Sequence, residues 1–246
     1  MALSIDALND GLFFDEISSN GDIFEGVLID IPLDLRQVFI GEVELFIHPE
    51  LIVDSLGKMI AVELLSRSSQ TTNMESLFYS MSDDDLCEVT LWQLKIAEAL
   101  VSIQDEIKVS INLSLRMMTH SKLLMALLAL RPDVIRGVAL EVVIEDYTIK
   151  AMQEKVLISL KDIGYEIWLD DYCPNIHWAL CMFNWDVVKV AREYAWSIDD
   201  DLMTLMLKVN SFRIIVEGIE TVHLYDTYKK ICFGMQGYLF GENNVD

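Results

Sequence analysis

The sequence predicts an α/β protein built as a closed (β/α)8-type barrel, and three observations carry that expectation. Its 246 residues suffice for one large single-core domain, and α/β barrels commonly run to this length without splitting. From about Val43, short apolar runs alternate with longer patterns of helical period, the signature of repeated βα units around a mainly parallel sheet. Eight such runs can be marked, the number that closes a barrel.

In chain order the predicted strands are Val43–Ile47, Ile60–Leu65, Val109–Leu113, Val138–Ile144, Ile167–Leu169, Val187–Val190, Ile214–Val216 and Tyr238–Phe240. Between them, Asp85–Val101 reads as a helix because Val89, Trp92, Ile96 and Leu100 repeat at three- and four-residue spacing. Ser82 with Asp85 forms a capping box at its start. Further helices are predicted at Ser121–Leu130, at Lys150–Ile163 ended by Gly164, and at Ser197–Val209. Residues 1–33 are acidic and rich in turn residues, as in Asn9-Asp10-Gly11, and read as an N-terminal extension ahead of a barrel domain over 34–246. The acidic runs Asp83–Asp85 and Asp199–Asp201 read as solvated helix starts, where the dipole favours negative charge.

Composition excludes several classes. Apolar residues make up 52% and charged residues 24% of the chain, which is globular rather than disordered. No apolar stretch is long enough to span a bilayer, and the N-terminus carries no basic region before its apolar residues, so a cytoplasmic chain without membrane attachment is expected. Cys87, Cys173, Cys181 and Cys232 lie far apart with no C-x-x-C pair, which favours reduced thiols over disulfides or zinc. A formal net charge of −22 without a Lys/Arg cluster argues against direct binding to nucleic acid. A phosphate ester would need cations to bridge it to so acidic a protein.

One regularity runs through the strands. Glu63, Asn112, Glu141 or Glu145, Asp170 with Asp171, Lys189 and Glu217 all lie within or just after an apolar run. Burying a lone carboxylate costs several kcal/mol, so such a series requires mutual pairing or a metal. The carboxyl ends of barrel strands converge on one face, where the series would share a pocket. Oxygen ligands suit Mg²⁺ or Mn²⁺, and Lys189 would position a hydroxide or phosphate, which points to metal-assisted hydrolysis of a phosphoester.

These residues resemble the bacterial EAL domain family, whose members bind and usually hydrolyse cyclic di-GMP. The likeness runs from roughly Asp34 to Asn243 through AVELLSR (61–67), VSINLS (109–114), LDD (169–171), VVKVA (187–191), VEGIET (216–221) and QGYLFG (236–241). It implies a modified TIM-type barrel with one antiparallel strand, and a two-metal site of Mg²⁺ or Mn²⁺ held by Glu63, Asn112, Glu141, Asp170 and Glu217. It also implies catalytic roles for Glu63, Asp171, Lys189 and Glu217, substrate contacts from Arg67 and Gln236, and Glu220 as a loop anchor. The implied activity is a cyclic-guanylate-specific phosphodiesterase that opens cyclic di-GMP to linear pGpG. A homodimer and a regulatory protein partner are further partners that the resemblance suggests.

The sequence departs from the family in four places. Tyr172-Cys173-Pro174-Asn175-Ile176-His177-Trp178 replaces a glycine-rich loop, with proline where permissive backbone was available. The LEVVIED segment sets Glu141 and Glu145 four apart rather than three, and strand parity favours Glu141. Ala191 stands where an aspartate usually follows the lysine by two, and His48 before Pro49 replaces the Gln of an early Tyr-Gln-Pro segment. His48, His120, His177 and His223 read as structural, and Trp178 and Trp185 as core. The departures leave an alternative, a catalytically impaired or inactive domain acting as a cyclic di-GMP receptor or protein-interaction module.

Overall fold

The computed structural model describes Ile29, residues 31–103, 107–144, 148–173, Ile176, residues 179–197 and residues 213–241. Nearly all of the extension expected over 1–33, most of the helix expected at Ser197–Val209, and Glu145, Pro174, Asn175, His177 and Trp178 lie outside the described residues.

Nine strands form one sheet in sequence order: β1 (Gln37–Ile40), β2 (Val43–Val53), β3 (Met59–Arg67), β4 (Val109–Ser114), β5 (Val138–Val143), β6 (Glu166–Tyr172), β7 (Val187–Val190), β8 (Arg213–Val216) and β9 (Gly234–Gln236). Pairing of β2 with β9 closes β2 through β9 into an eight-stranded barrel, the predicted class, and β1 adds an outer hairpin on β2. Strands β3 to β9 are parallel, whereas β2 runs against both of its barrel neighbours. The sequence explains that reversal. Only Asp54-Ser55-Leu56-Gly57-Lys58 separate β2 from β3, too few for a parallel crossover. Asp54 Oδ1 accepts from the backbone N–H of Leu56 (2.8 Å) and Lys58 (3.0 Å), and Gly57 takes φ 78°, closing a tight turn.

The helices include α1 (Met74–Ser80), α2 (Asp83–Ile103), α3 (Ser121–Ala129), α4 (Pro132–Gly137), α5 (Ala151–Asp162), α6 (Ala179–Met182), α7 (Arg192–Ser197) and α8 (Val222–Tyr228). The capping pair at the start of α2 is formed: Asp85 N–H donates to Ser82 Oγ at 3.1 Å, and that hydroxyl donates to Asp85 Oδ2 at 2.6 Å. The α2 stripe of Val89, Trp92, Ile96 and Leu100 is buried, and Gln93 on the same face donates to Leu64 O at 2.8 Å, tying the helix to β3. Trp185 is core, with its indole N–H on Ala179 O at 2.7 Å and an edge-on contact to Phe183. Ile29 and Ile31 are fully buried, so the packed body reaches back at least to Ile29.

The last strand differs from its predicted place. It is Gly234–Gln236, and Tyr238–Phe240 is a 3-10 turn. Gly237 at φ 147° breaks the strand, and Leu239 N–H then donates to Ile219 O at 3.0 Å, folding the apolar Tyr-Leu-Phe over the preceding loop. Among the described residues no helix is long and apolar enough to cross a membrane, and the four cysteines are free.

Candidate functional site

Strand alternation stacks two layers of side chains inside the barrel. The lower layer is apolar: Ile52, Ala61, Ala139, Trp168, Val187 and Ile215 pack together, and Ser110 is buried with them in position on β4. Gly234 completes it on β9, where a Cβ would come within 3.2 Å of both Ile52 and Ile215. Two small alanines and a glycine make room for the one indole. Two residues nearer the mouth on each strand stand Glu50, Glu63, Asn112, Glu141, Asp170, Lys189, Glu217 and Gln236. Every apolar position of the plug thus has a polar residue directly above it.

Lys189 is the centre of this polar layer. Its Nζ lies 2.9 Å from Glu63 Oε2, 2.7 Å from Glu141 Oε2, 3.1 Å from Asp170 Oδ1 and 2.7 Å from Glu217 Oε1, and its side chain is 1% exposed. An ammonium has three protons to give, so four carboxylates cannot all be served. Asn112 Nδ2 donates to Glu63 Oε1 at 3.0 Å, which leaves its amide oxygen as the atom available to a cation. Gln236 Nε2 donates to Glu63 Oε2 at 2.7 Å.

Asp170 and Asp171 both reach the site because β6 bulges there. Leu169 pairs with Val188 and Tyr172 with Val190, so two aspartates stand opposite the single Lys189. Without the bulge, alternation would send one of them away from the lumen. Asp171 carries φ 48°, the one positive value among described non-glycine residues. Ligand atoms of Asp170, Asp171 and Glu217 lie within 4.8 Å of one another.

The electrostatics are those of a site short of positive charge. Burial raises the Glu217 pKa to about 8, with Asp170 and Asp171 adding to the effect against the pull of Lys189. The Asp170 charge, then burial, lifts Asp171 to about 7. Asp170 and Glu141 are also raised, chiefly by burial, with the Glu63 charge adding to each. Burial alone would raise Glu63, but Lys189 and the amides of Gln236 and Asn112 hold it below its ordinary value. Burial would depress Lys189; the surrounding carboxylates instead push it well above its ordinary value.

Above the ring, Arg67, Arg192, Glu193, Glu220 and Tyr238 rim a cavity of about 360 Å³, a size suited to a small-molecule ligand. Glu220, in the loop after β8, sits 3.8 Å from Arg192 on α7. Gly218 in that loop takes φ 69°, and a Cβ there would overlap the Arg192 side chain at 2.2 Å. Its carbonyl accepts the Trp196 indole N–H at 2.7 Å.

The structure therefore brings together Glu63, Asn112, Glu141, Asp170, Asp171, Lys189, Glu217 and Gln236, with Arg67 and Glu220 at the mouth. Glu141 rather than Val143 faces Lys189, and Glu145 lies outside the described residues. Sequence reasoning missed Glu50. It placed the early polar position at His48, but Glu50 pairs directly with Glu63 across the β2–β3 ladder and lines the cavity. His48 pairs with Leu65 one step further out, its pKa lowered by burial and by Arg67. Because β2 runs backwards, its mouth-facing residue precedes the plug residue Ile52, and period-two counting from Ile52 would have found it.

The family model described as EAL domain matches residues 35–243. The chain belongs to the EAL domain family. The barrel is shared with solved structures. The EAL enzyme Bd1971 in its cGMP-bound form is 21% identical with a TM-score of 0.69, covering 80% of this chain and 62% of that one. The PaMucR phosphodiesterase in complex with c-di-GMP is 24% identical with a TM-score of 0.66, covering 80% and 96%. Klebsiella pneumoniae BlrP1, a manganese and cy-diGMP complex at pH 6, is 21% identical with a TM-score of 0.65, covering 80% and 55%. This EAL chain thus spans less than two thirds of the length of Bd1971 and of BlrP1. Comparison with curated proteins finds no match.

The donor set of this EAL barrel fits a divalent cation. Among the described residues, Glu141 Oε1 and Gln236 Oε1 are buried with no hydrogen-bond partner, and Asp170 Oδ1 faces the ammonium without a directed hydrogen bond. Carboxylate and amide oxygens left over in this way are the ligands that hard cations of the Mg²⁺ or Mn²⁺ type take.

Proposed function

We propose that this EAL domain binds cyclic di-GMP and hydrolyses one of its phosphodiester bonds to yield linear pGpG. The observation that carries the reading is the surplus of carboxylate in the polar layer: Glu50, Glu63, Glu141, Asp170, Asp171 and Glu217 surround the single ammonium of Lys189. A site with that surplus repels a phosphate unless cations stand between them. Glu63, Asn112, Glu141, Asp170 and Glu217 are the residues that would hold divalent cations, with Asp171 beside them. When bound, such cations neutralise the phosphate and lower the pKa of water.

The chain's own groups supply the rest. Arg67 at the mouth offers a planar guanidinium to a non-bridging phosphate oxygen. Asp171 is exposed at the strand end and accepts the proton of the attacking water. Lys189 holds Glu63, Glu141, Asp170 and Glu217 in one arrangement before substrate arrives. The apolar plug beneath keeps bulk water from entering from the other side. A cytoplasmic location is part of this reading, since cyclic di-GMP is an intracellular ligand for the family the sequence resembles.

A second reading, a receptor that holds cyclic di-GMP without cutting it, is favoured by one observation. Lys189 already sits at the centre of the carboxylates and could stand in for a cation. Purified protein incubated with cyclic di-GMP and Mn²⁺, with linear product followed beside equilibrium binding, separates the two. Turnover supports the enzyme; binding without turnover supports the receptor; no binding overturns both.

A further inference from the structure

We infer that Glu50, acting through the amide of Gln236, is a positioning residue that adds to the divalent-cation affinity of this site and orients Glu63 within it. The inference rests on the cation reading above and concerns a residue outside the set of predicted ligands.

The geometry begins with register. In the antiparallel β2–β3 ladder Glu50 is the direct partner of Glu63, and such partners hold their Cβ atoms about 4.5–5.5 Å apart. Like charges so placed repel, and a ladder would ordinarily avoid the pair. Here β9 closes the gap. Gln236 donates its Nε2 to Glu63 Oε2 at 2.7 Å, and the same amide lies beside the Glu50 carboxylate. Both neighbours are acceptors only, so the amide has one permitted orientation, with NH₂ toward the two carboxylates. That orientation accounts for the buried Gln236 Oε1, 4% exposed as a residue, which is left with no partner among the described residues. The amide therefore lies between two carboxylates, and its oxygen, without a partner among the described residues, belongs to a side chain that lines the cavity.

The arrangement fixes one rotamer of Glu63, the carboxylate that also meets Lys189 and Asn112. It also places a sixth negative charge in the polar layer, beside the four carboxylates that meet Lys189. Carboxylates that orient a ligand from behind are typically worth about ten- to a hundredfold in metal affinity. Without a cation, the same charge only adds repulsion.

These two consequences have opposite signs, and the test uses both. Mn²⁺ binding by titration calorimetry and thermal unfolding with and without Mn²⁺ would be measured on the full chain and on Glu50→Gln, Glu50→Ala and Glu50→Asp, in the absence of nucleotide. Glu50→Gln keeps the shape and is expected to weaken Mn²⁺ binding by about tenfold while raising the melting temperature of the metal-free protein. Glu50→Asp retains the charge and is expected to recover most of the affinity. Unchanged Mn²⁺ affinity in Glu50→Gln, beside a wild type that binds, overturns this inference alone. Equal loss of stability with and without Mn²⁺ also overturns it, since that marks a purely structural role. A wild type that does not bind Mn²⁺ overturns the cation reading and this inference with it.

Discussion

The two ends of the barrel use the same kinds of residue to opposite effect. At the closed end Glu166 accepts from Lys108 (3.1 Å), Arg213 (2.7 Å) and the Trp168 indole (2.9 Å). Asp186 nearby accepts from Lys161 at 2.8 Å and from the backbone of Ile167 at 2.9 Å. Burial would raise Glu166, but Lys108, Trp168 and Arg213 hold its pKa below the ordinary value. At the open end a larger group of carboxylates shares one lysine, and Asp171 and Glu217 titrate near neutrality. Charges satisfied within the fold belong to its stability. Charges left in surplus are held there by the fold at a cost, and the balance must come from a ligand.

Removing the one cation of the open end should have the largest effect. Lys189→Met leaves three buried carboxylates, Glu63, Glu141 and Asp170, and the half-buried Glu217 without their shared partner, and is expected to cost about 3–5 kcal/mol of metal-free stability. Urea unfolding in the presence of a chelator measures it. Mn²⁺ should restore part of the loss, whereas no cation should rescue a change at the closed end. Loss of stability below about 1 kcal/mol would show that the open end is solvated rather than strained.

The pH dependence of metal-free stability follows from the raised carboxylates. Glu217 moves from 4.5 to about 8 and Asp171 from 3.8 to about 7 on folding. A folded state that holds protons more tightly than the unfolded chain is most stable below the unfolded values and loses stability as pH rises through the folded ones. The melting temperature of the chelated protein should therefore fall between about pH 4 and pH 8. Each unit costs at most about 1.4 kcal/mol at the half-buried Glu217, and much less at the exposed Asp171, whose charge is screened by water. Saturating Mn²⁺ should flatten the fall, because the cation takes the place of the proton. A flat profile without metal would contradict the charge surplus.

Single neutralisations should separate the two ends by sign. Glu166→Gln at the closed end is expected to lower stability by about 1 kcal/mol, since its partners are partly exposed. Glu217→Gln at the open end should raise metal-free stability by a similar amount while abolishing turnover of cyclic di-GMP. Chemical denaturation of the two variants side by side gives the comparison directly.

How much of this was legible beforehand depends on where the period-two rule applies. Glu63, Asn112, Glu141, Lys189 and Glu217 lie within the carboxyl-terminal half of their apolar runs or just after them, because in parallel strands the mouth lies at the carboxyl end. Glu50 was hidden by the reversed strand, although the five-residue turn at 54–58 was in plain sight. The last strand was misplaced for a different reason. Gly-Met-Gln carries little apolar signal beside Tyr-Leu-Phe, and its strand character comes from pairing with β2 and β8 rather than from its own side chains. A bulge, likewise, leaves no mark on composition, so the sequence could not say how adjacent aspartates reach one pocket.

That bulge supplies the smallest effect and the sharpest one. Asp171 is held at φ 48°, a region disfavoured for residues with a Cβ, and such strain costs of order 1 kcal/mol. Asp171→Gly removes both the strain and a charge that repels Asp170, so metal-free stability should rise by up to about 1 kcal/mol after glycine's greater unfolded freedom is counted. Asp171→Asn removes the charge but keeps the conformation, which asparagine tolerates. If both variants gain equally, repulsion accounts for the gain; if glycine alone gains, backbone strain does. Either way, product formation should collapse in both, because the side chain proposed to take the proton of the attacking water is gone. A barrel that becomes more stable as it loses activity would place the conflict between folding and function at this one residue, at the open end and nowhere near the paired charges of the other.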